Sequence, residues 1–424
     1  FFQAEDGIRD RSPSRGLGDV YKRQTSRCIN FKLNLSFNEM NKISSLEFRR
    51  FSAEHHNASR NWLIPIILTD DPNIFGIGDA SSLGDDERII DETKFLFDKY
   101  LVGKDALESE ALWLSMYNNS MQRGGRISTT AISGIDIALW DLKGKIFKKP
   151  IYTLLGGSLR DKLMVYANGW YTNPGTPEQN FNEAKKVVSM GYKALKFDPF
   201  GQKNFYRLSK EEFHLTEQRI SKVREAVGEN VEILIEGHAK FNVMNAVKIS
   251  EMIKKYHPLF FEEPVSEESI EELVNLRKHT NVSIATGERL YTKFPFAEIV
   301  EKNAADVLQP DIANAGGITE LKKISIIAEP KHIAIAPHNT CSPVGAIAEM
   351  HLSKSIPNFE IMEYHAEFYS PHYFDVFKGF PRQKDGFVSL SDKPGLGLEL
   401  NEKEIKKHPP FKSTDAKGGA FKTI

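Results

Sequence analysis

The sequence predicts an α/β fold: a barrel of eight parallel strands alternating with helices, preceded by a smaller α+β domain. Three observations carry this reading. Short apolar runs recur between amphipathic helical stretches from residue 163 to residue 364. Their interval is about 25 residues, the chain needed for one strand, one helix and two short loops. Three successive runs also end in a glutamate at equal spacing, Glu236, Glu262 and Glu288, 26 residues apart.

The elements follow in order. Residues 41–90 read as strand and loop: "SSLEFRRF" and "WLIPIILTDD" alternate or run apolar and break at "DDPN" and "GIGD". From 91 to about 157 the pattern is helical. Ile132, Ile135, Ala138, Leu139, Leu142 and Ile146 recur at helical spacing, with Ser128 as the expected N-cap. The strand candidates are "LMVYANG" (163–169), "KALKFD" (193–198), "EILIEGH" (232–238), "PLFFEEP" (258–264), "SIATGE" (283–288), "DVLQPD" (306–311), "IAIAPH" (333–338) and "FEIMEY" (359–364). Regular alternation with helices argues for parallel strands, and eight of them for a barrel. An open doubly wound sheet is the alternative. It would carry a glycine-rich phosphate loop after the first strand, and "ANGWYTNPG" is not one. The tail, 371–424, shows no such rhythm and is expected to fold back on the N-terminal domain. The expected boundaries are 40–160 for that domain and 161–370 for the barrel.

Residues 1–39 are set apart. The stretch 1–24 lacks strand or helical periodicity, mixes acids with bases and has no apolar core, unlike a transit or signal peptide. It resembles translated sequencing-adapter sequence, and a disordered leader is the alternative. Met40 is the expected start of the folded chain.

Bulk composition excludes several function classes. The 424 residues carry a net charge of −1, which gives no support for nucleic-acid or anionic-membrane binding. The apolar runs are strand-sized, too short to span a bilayer. Two cysteines, Cys28 and Cys341, make no disulfide framework and suit a cytoplasmic setting.

The strand ends carry the chemistry. In order they present Lys196 and Asp198, Glu236 and His238, Glu262, Glu288, Asp311, His338 and Glu363. In a β/α barrel that rim is where active sites lie, whereas structural demands load the opposite end. Three converging carboxylates repel unless a cation sits among them, and an all-oxygen set suits a hard divalent ion, Mg²⁺ or else Mn²⁺. Such an ion binds a substrate oxygen and stabilises the charge left by proton removal. Asp311 beside His338 would orient an imidazole base. His238, two residues beyond Glu236 on the same strand face, would approach from another side. One base and one acid flanking a substrate suit an elimination. Against these readings stand plainer ones: Asp311 as a turn or cap residue, Lys196 as a lysine snorkelling at the rim, Asp198 as a turn initiator before Pro199, and Trp170 and Tyr171 as core filling. Cys341 reads as a bystander.

The segments "ILIEGH", "FFEEP", "ATGERL", "LQPDIANAGGIT" and "APHN" together resemble the enolase superfamily in its mandelate racemase branch. "VYANGWY" and "GYKALKFDPFG" resemble its gluconate/galactonate dehydratases. The resemblance covers residues 41 to about 400. It implies a (β/α)7β modified TIM barrel under an N-terminal α+β capping domain, with "HHNASRNW" (55–62) as a substrate-selecting loop. It implies Glu236, Glu262 and Glu288 as Mg²⁺ ligands, Asp311 and His338 as the catalytic dyad, and His238 as the second catalytic histidine. Lys196, Asp198 and Glu363 are then substrate-binding candidates, Glu363 near the substrate's carboxylate or the metal. It also implies a homo-oligomer acting on a small-molecule sugar acid. One departure matters: many relatives end strand two with Lys-x-Lys, and here Asp198 replaces the second lysine. That disfavours two-base racemisation and favours elimination. The expected activity is aldonate dehydration. The alternatives are sugar-acid epimerisation, lactone cycloisomerisation, or a silent barrel with a binding role.

Overall fold

The computed structural model describes residues 41–412 apart from 56–57, 83, 119–122, 202–205 and 207. The expectations for residues 1–39 and Met40 lie outside the described residues. The first described unit is an antiparallel sheet of β1 (Ile43–His55), β2 (Ala58–Thr69) and β3 (Phe75–Ile77). β2 reads as a continuous apolar run because both of its faces are buried. Leu63 and Ile67 join a core with the N-terminal helices, while Trp62, Ile64 and Ile66 join the core shared with the barrel. Trp62 packs edge-on against Phe51, His372 and Tyr373, with ring centroids 5.3–5.7 Å apart.

Helices α1 (Asp86–Tyr100), α2 (Ser109–Tyr117), α3 (Arg126–Ile146) and α4 (Ile151–Leu154) follow. The helical region therefore opens at Asp86, earlier than the sequence suggested. The expected cap at Ser128 is corrected: Gly125 is the N-cap of α3, and Ser128 lies inside the first turn. α3 is buried over most of its circumference. It crosses β3 so closely that a Cβ on Gly76 would lie 2.1 Å from the Ala138 carbonyl oxygen.

Seven strand–helix units and a final strand make the second body. They run β4 (Leu163–Ala167), α5 (Pro177–Ser189), β5 (Ala194–Phe197), α6 (Lys210–Val227), β6 (Glu232–Glu236), α7 (Val243–Ile253), β7 (Phe261–Glu262) and α8 (Ile270–Lys278). Then come β8 (Ile284–Thr286), α9 (Lys293–Glu301), β9 (Val307–Leu308), α10 (Gly317–Ala328), β10 (Ala334–Ile335), α11 (Pro343–Ser355) and β11 (Met362–Tyr364). Neighbouring strands pair in parallel from β4 to β10, and β11 pairs with β4. A parallel bridge between Ile335 and Phe359 joins β10 to the segment entering β11 and closes the ring. This is the expected (β/α)7β barrel. Among the described residues no helix is long and apolar enough to cross a membrane.

Side chains alternate across each strand. Tyr166, Ala194, Leu234, Phe260, Ala285, Val307, Ala336 and Ile361 form a core inside the barrel. Val165, Leu195, Ile233, Phe261, Ile284, Leu308, Ile335 and Met362 face outward to the helices. Two residues further along the inward rows lie Lys196, Glu236, Glu262 and Glu363. Register alone delivers these charges to the barrel mouth.

The C-terminal chain adds β12 (Phe377–Lys378), β13 (Phe387–Val388), β14 (Glu399–Leu400) and α12 (Glu402–Ile405). β13 pairs antiparallel with β4. Glu402 accepts from the Arg49 guanidinium at 2.8 Å, Ser52 N–H donates to the His408 carbonyl at 3.1 Å, and Phe411 N–H donates to Asn61 at 2.8 Å.

Two buried aspartates tie the N-terminal elements to the barrel. Asp79 accepts the N–H groups of Ser342 at 2.8 Å and Gly345 at 3.1 Å, and the Ser342 hydroxyl, at the start of α11. A carboxylate there satisfies orphan donors and complements the helix dipole. Asp136 on α3 accepts from Thr319 N–H at 2.9 Å and Thr319 Oγ1 at 2.5 Å, in the first turn of α10. Burial pushes the Asp136 carboxyl up to about 7 against the pull of those hydrogen bonds.

Asp79→Ala leaves those buried N–H groups without an acceptor and is expected to cost about 3 kcal/mol. A lowered urea midpoint at unchanged slope would show it; an unchanged midpoint would refute it. For Asp136, the folded carboxyl keeps a proton between pH 3.8 and about 7 that the unfolded chain has lost. Its stabilising contribution is full below that window and fades as pH rises through 7. Asp136→Asn should therefore gain stability relative to the parent between pH 5 and 8, up to on the order of 4 kcal/mol. Parallel stability curves for the two proteins would contradict this.

Candidate active site

Glu236 and Glu262 end adjacent strands, paired in register. Glu288 follows Gly287, whose φ of 141° turns the chain just past β8. One carboxylate oxygen from each of the three lies within 4.8 Å of the others. Glu236 and Glu262 are fully buried, and the Glu288 side chain is partly open. An all-carboxylate triangle of this size fits a hard divalent cation.

Lys196 does not snorkel. It is buried, and its Nζ lies 2.8 Å from both oxygens of Glu262, 3.1 Å from Glu236 and 3.5 Å from Glu363. One ammonium does not balance these carboxylates. Burial, then the charge of Glu236, push the Glu262 carboxyl well above the usual range despite Lys196. Burial also opposes ionisation of Glu236, but His238 and Lys196 hold it down to about 2. The triangle is short of positive charge, the condition in which a cation binds.

Glu363 accepts from Asn339 N–H at 2.8 Å and from the Asn168 amide, which holds it at the inner edge of this cluster. Asp311 fills both of the roles weighed for it, one with each oxygen. Oδ2 lies 2.7 Å from His338 Nδ1, while Oδ1 accepts from Ala313 N–H at 2.8 Å and Asn314 N–H at 3.2 Å. The Cys341 sulfur lies 3.7 Å from Oδ1, so the residue read as a bystander touches the dyad. His338 Nε2 faces the triangle, 3.3 Å from Glu288 Oε2 and 3.9 Å from Glu363. Burial works against its charged form, but Glu288, Glu363 and Asp311 push its pKa well up.

His238 stands on the opposite flank. Its Nδ1 lies 2.9 Å from Asp198 Oδ2, and its N–H donates to Glu236 at 2.7 Å. Burial lowers its pKa, and Glu236 and Asp198 more than reverse that. Asp198 is buried and turned to His238 rather than to the open cavity, and Oδ1 accepts from Phe200 N–H at 2.9 Å. It is thus a turn residue and a histidine partner at once. Both His238 and Ala239 have positive φ, 48° and 56°. Each such non-glycine residue costs about 1–3 kcal/mol, strain that persists only when surrounding contacts enforce it.

Trp170 fills the core against Phe197, with its indole N–H on the Lys196 carbonyl at 2.8 Å. Tyr171 packs edge-on against both rings. In the 55–62 stretch, His55 ends β1 and Ala58–Trp62 belong to β2, while His56 and Asn57 lie outside the described residues. Trp62 is core, not a selecting residue. Arg60 instead reaches the site: its guanidinium donates to the Thr340 carbonyl and stacks over Tyr369 at 5.0 Å. Sequence reasoning named the 55–62 stretch that holds Arg60 without singling that residue out, and missed Tyr369 and Lys240. The expectation that His238 continues the strand face of Glu236 is corrected: β6 ends at Glu236, and the left-handed turn at His238 and Ala239 breaks the alternation, which is why Lys240 left no signal.

Comparison with known proteins agrees with this geometry. Residues 181–404 match the family described as "Enolase C-terminal domain-like", and residues 52–156 match "Mandelate racemase / muconate lactonizing enzyme, N-terminal domain". A D-gluconate dehydratase of Thermoproteus tenax is 37% identical over 308 residues, 72% of this chain and 62% of that protein. A D-gluconate/D-galactonate dehydratase of Picrophilus torridus is 37% identical over 66% of this chain and 71% of its own length. The solved mandelate racemase/muconate lactonizing enzyme from Sulfitobacter sp. superposes with a TM-score of 0.81 at 29% identity, covering 88% of this chain and 96% of its own. By both domain matches and by fold, the chain belongs to the enolase superfamily, in its mandelate racemase/muconate lactonizing enzyme branch.

Proposed function

We propose that this protein is an Mg²⁺-dependent aldonate dehydratase, acting on D-gluconate, D-galactonate or both to give a 2-keto-3-deoxy acid. The observation that carries the reading is the pair of aspartate-held histidines on opposite flanks of the three-glutamate triangle. Support comes also from relatives named D-gluconate dehydratase and D-gluconate/D-galactonate dehydratase.

Glu236, Glu262 and Glu288 would hold the cation. When bound, it would offset their charge and stabilise the negative charge developing on the substrate's carboxylate as the C2 proton leaves. The protein's own groups move the protons. With a cation offsetting the Glu288 charge that favours its protonated form, neutral His338 Nε2 would take the proton from C2, while Asp311 keeps the other nitrogen protonated and the ring in place. His238 Nε2 gives a proton to the C3 hydroxyl, which departs as water. The enol that remains tautomerises to the 2-keto-3-deoxy acid. Lys196, inside the carboxylate cluster, keeps Glu262 and Glu363 from repelling each other out of register. Arg60 brings the N-terminal hairpin over the mouth beside the His338 loop, where it would help exclude water and select substrate. The family's assembly into homo-oligomers and a cytoplasmic setting belong to the same reading.

The test is a dehydration screen of the purified protein with Mg²⁺ against aldonates and aldarates. Formation of 2-keto-3-deoxy product from D-gluconate or D-galactonate, abolished by EDTA, is the expected result. A negative screen with Mg²⁺ demonstrably bound, but with solvent deuterium entering C2, would shift the assignment to epimerisation or cycloisomerisation. His338→Asn is expected to lower turnover at least ~100-fold while Mg²⁺ binding persists. Retained activity in that variant would remove His338 from the base role.

A further inference from the structure

Lys240 is a buried cation outside the three-glutamate triangle. The chain reaches it through the left-handed turn at His238 and Ala239. Gly237 N–H donates to the Glu262 carbonyl at 2.8 Å and Ala239 N–H to the Glu263 carbonyl at 2.7 Å, which pins that turn. The turn carries Lys240 to Asp198, and its Nζ donates to Oδ2, the oxygen that also meets His238 Nδ1. Asn173 adds a longer contact to the same oxygen at 3.3 Å. Lys240 and Asp198 are each 2% exposed, whereas the His238 side chain is 19% exposed. The ion pair is therefore sealed in, and the imidazole is its outward face.

A buried carboxylate beside an ammonium stays ionised and can only accept hydrogen bonds. A proton must then sit on His238 Nδ1, and the ring turns Nε2 away from Asp198. Asp311 does the same for His338 with backbone N–H groups in place of a lysine. We infer that Lys240 is a positioning residue: acting through Asp198, it fixes the ring orientation and proton placement of His238, the donor to the departing hydroxyl. The inference rests on the dehydratase reading above. A lysine with a purely structural role would brace the turn at 198–200 and leave the imidazole unaffected.

The test compares Lys240→Met, Asp198→Asn and the double variant with the parent, all as full chains with Mg²⁺ and D-gluconate. The double variant removes both buried charges together, so it reports even where a single variant with an orphaned charge fails to fold. Product formation is expected to fall ~100-fold, the scale of a lost general acid, with solvent-deuterium incorporation at C2 retained. A second readout needs no turnover. In histidine-¹⁵N-labelled protein the His238 Nδ1 proton, assigned by its loss in His238→Asn, should give a slowly exchanging resonance. That resonance should vanish in Asp198→Asn and broaden through fast solvent exchange in Lys240→Met. Parent-like product formation in the variants would overturn the inference. So would product and C2 exchange falling together with the resonance unchanged, the signature of a structural role. A parent that leaves D-gluconate untouched would sink the dehydratase reading instead, and the resonance alone would then decide whether Lys240 positions the ring.

Discussion

The barrel mouth is organised around one electrostatic constraint. Glu236, Glu262 and Glu363 crowd into a buried space whose main cation is the Lys196 ammonium, within 3.5 Å of all three. Removing carboxylates from water is expensive unless opposite charge lies close. Lys196 supplies part of that charge, but burial and then the charge of Glu236 still drive the Glu262 carboxyl up. The rest of the site follows from the same need. Arg289 Nε lies 2.8 Å from Glu263 behind Glu288, Lys240 meets Asp198, and both histidines are held where carboxylates favour their charged forms. A divalent cation at the three glutamates would relieve this imbalance.

The N-terminal elements hold the loops and helices around the dyad. Asp79 caps α11, the helix that follows His338, and Asp136 caps α10, the helix that follows Asp311. Each half of the dyad is therefore anchored through the next helix to a buried aspartate of the N-terminal domain. Arg60 makes a third connection at the Thr340 carbonyl.

Much of this was legible in advance. The eight apolar runs correspond to β4–β11, and the even spacing of Glu236, Glu262 and Glu288 corresponds to the triangle. Period-two alternation explains why: strand register fixes which face a side chain takes, so a charge two residues past an inward apolar residue must face the barrel axis. The errors fell where local pattern is weakest. Ser128 had the chemistry of a cap, but Gly125, with a φ of 89°, provides the turn into α3. In the polar 55–62 stretch, His55 and Ala58–Trp62 are drawn into β1 and β2, because strand pairing overrides local propensity. Snorkelling, the plainer alternative weighed for Lys196, is not what the fold does: three carboxylates draw it in.

By itself, the sequence determined the strand rhythm, the inward rows and the carboxylate-rich rim, because these depend on spacing along a short stretch of chain. The tertiary structure alone decided the partners of Lys240 and Arg60. Lys240 and Asp198 are 42 residues apart, and Arg60 and Thr340 are 280 apart. Their contacts depend on barrel closure, on the left-handed turn at His238 and on the seating of the hairpin over the mouth. Pairing across such distances is set by packing of the whole chain, and no local pattern encodes it.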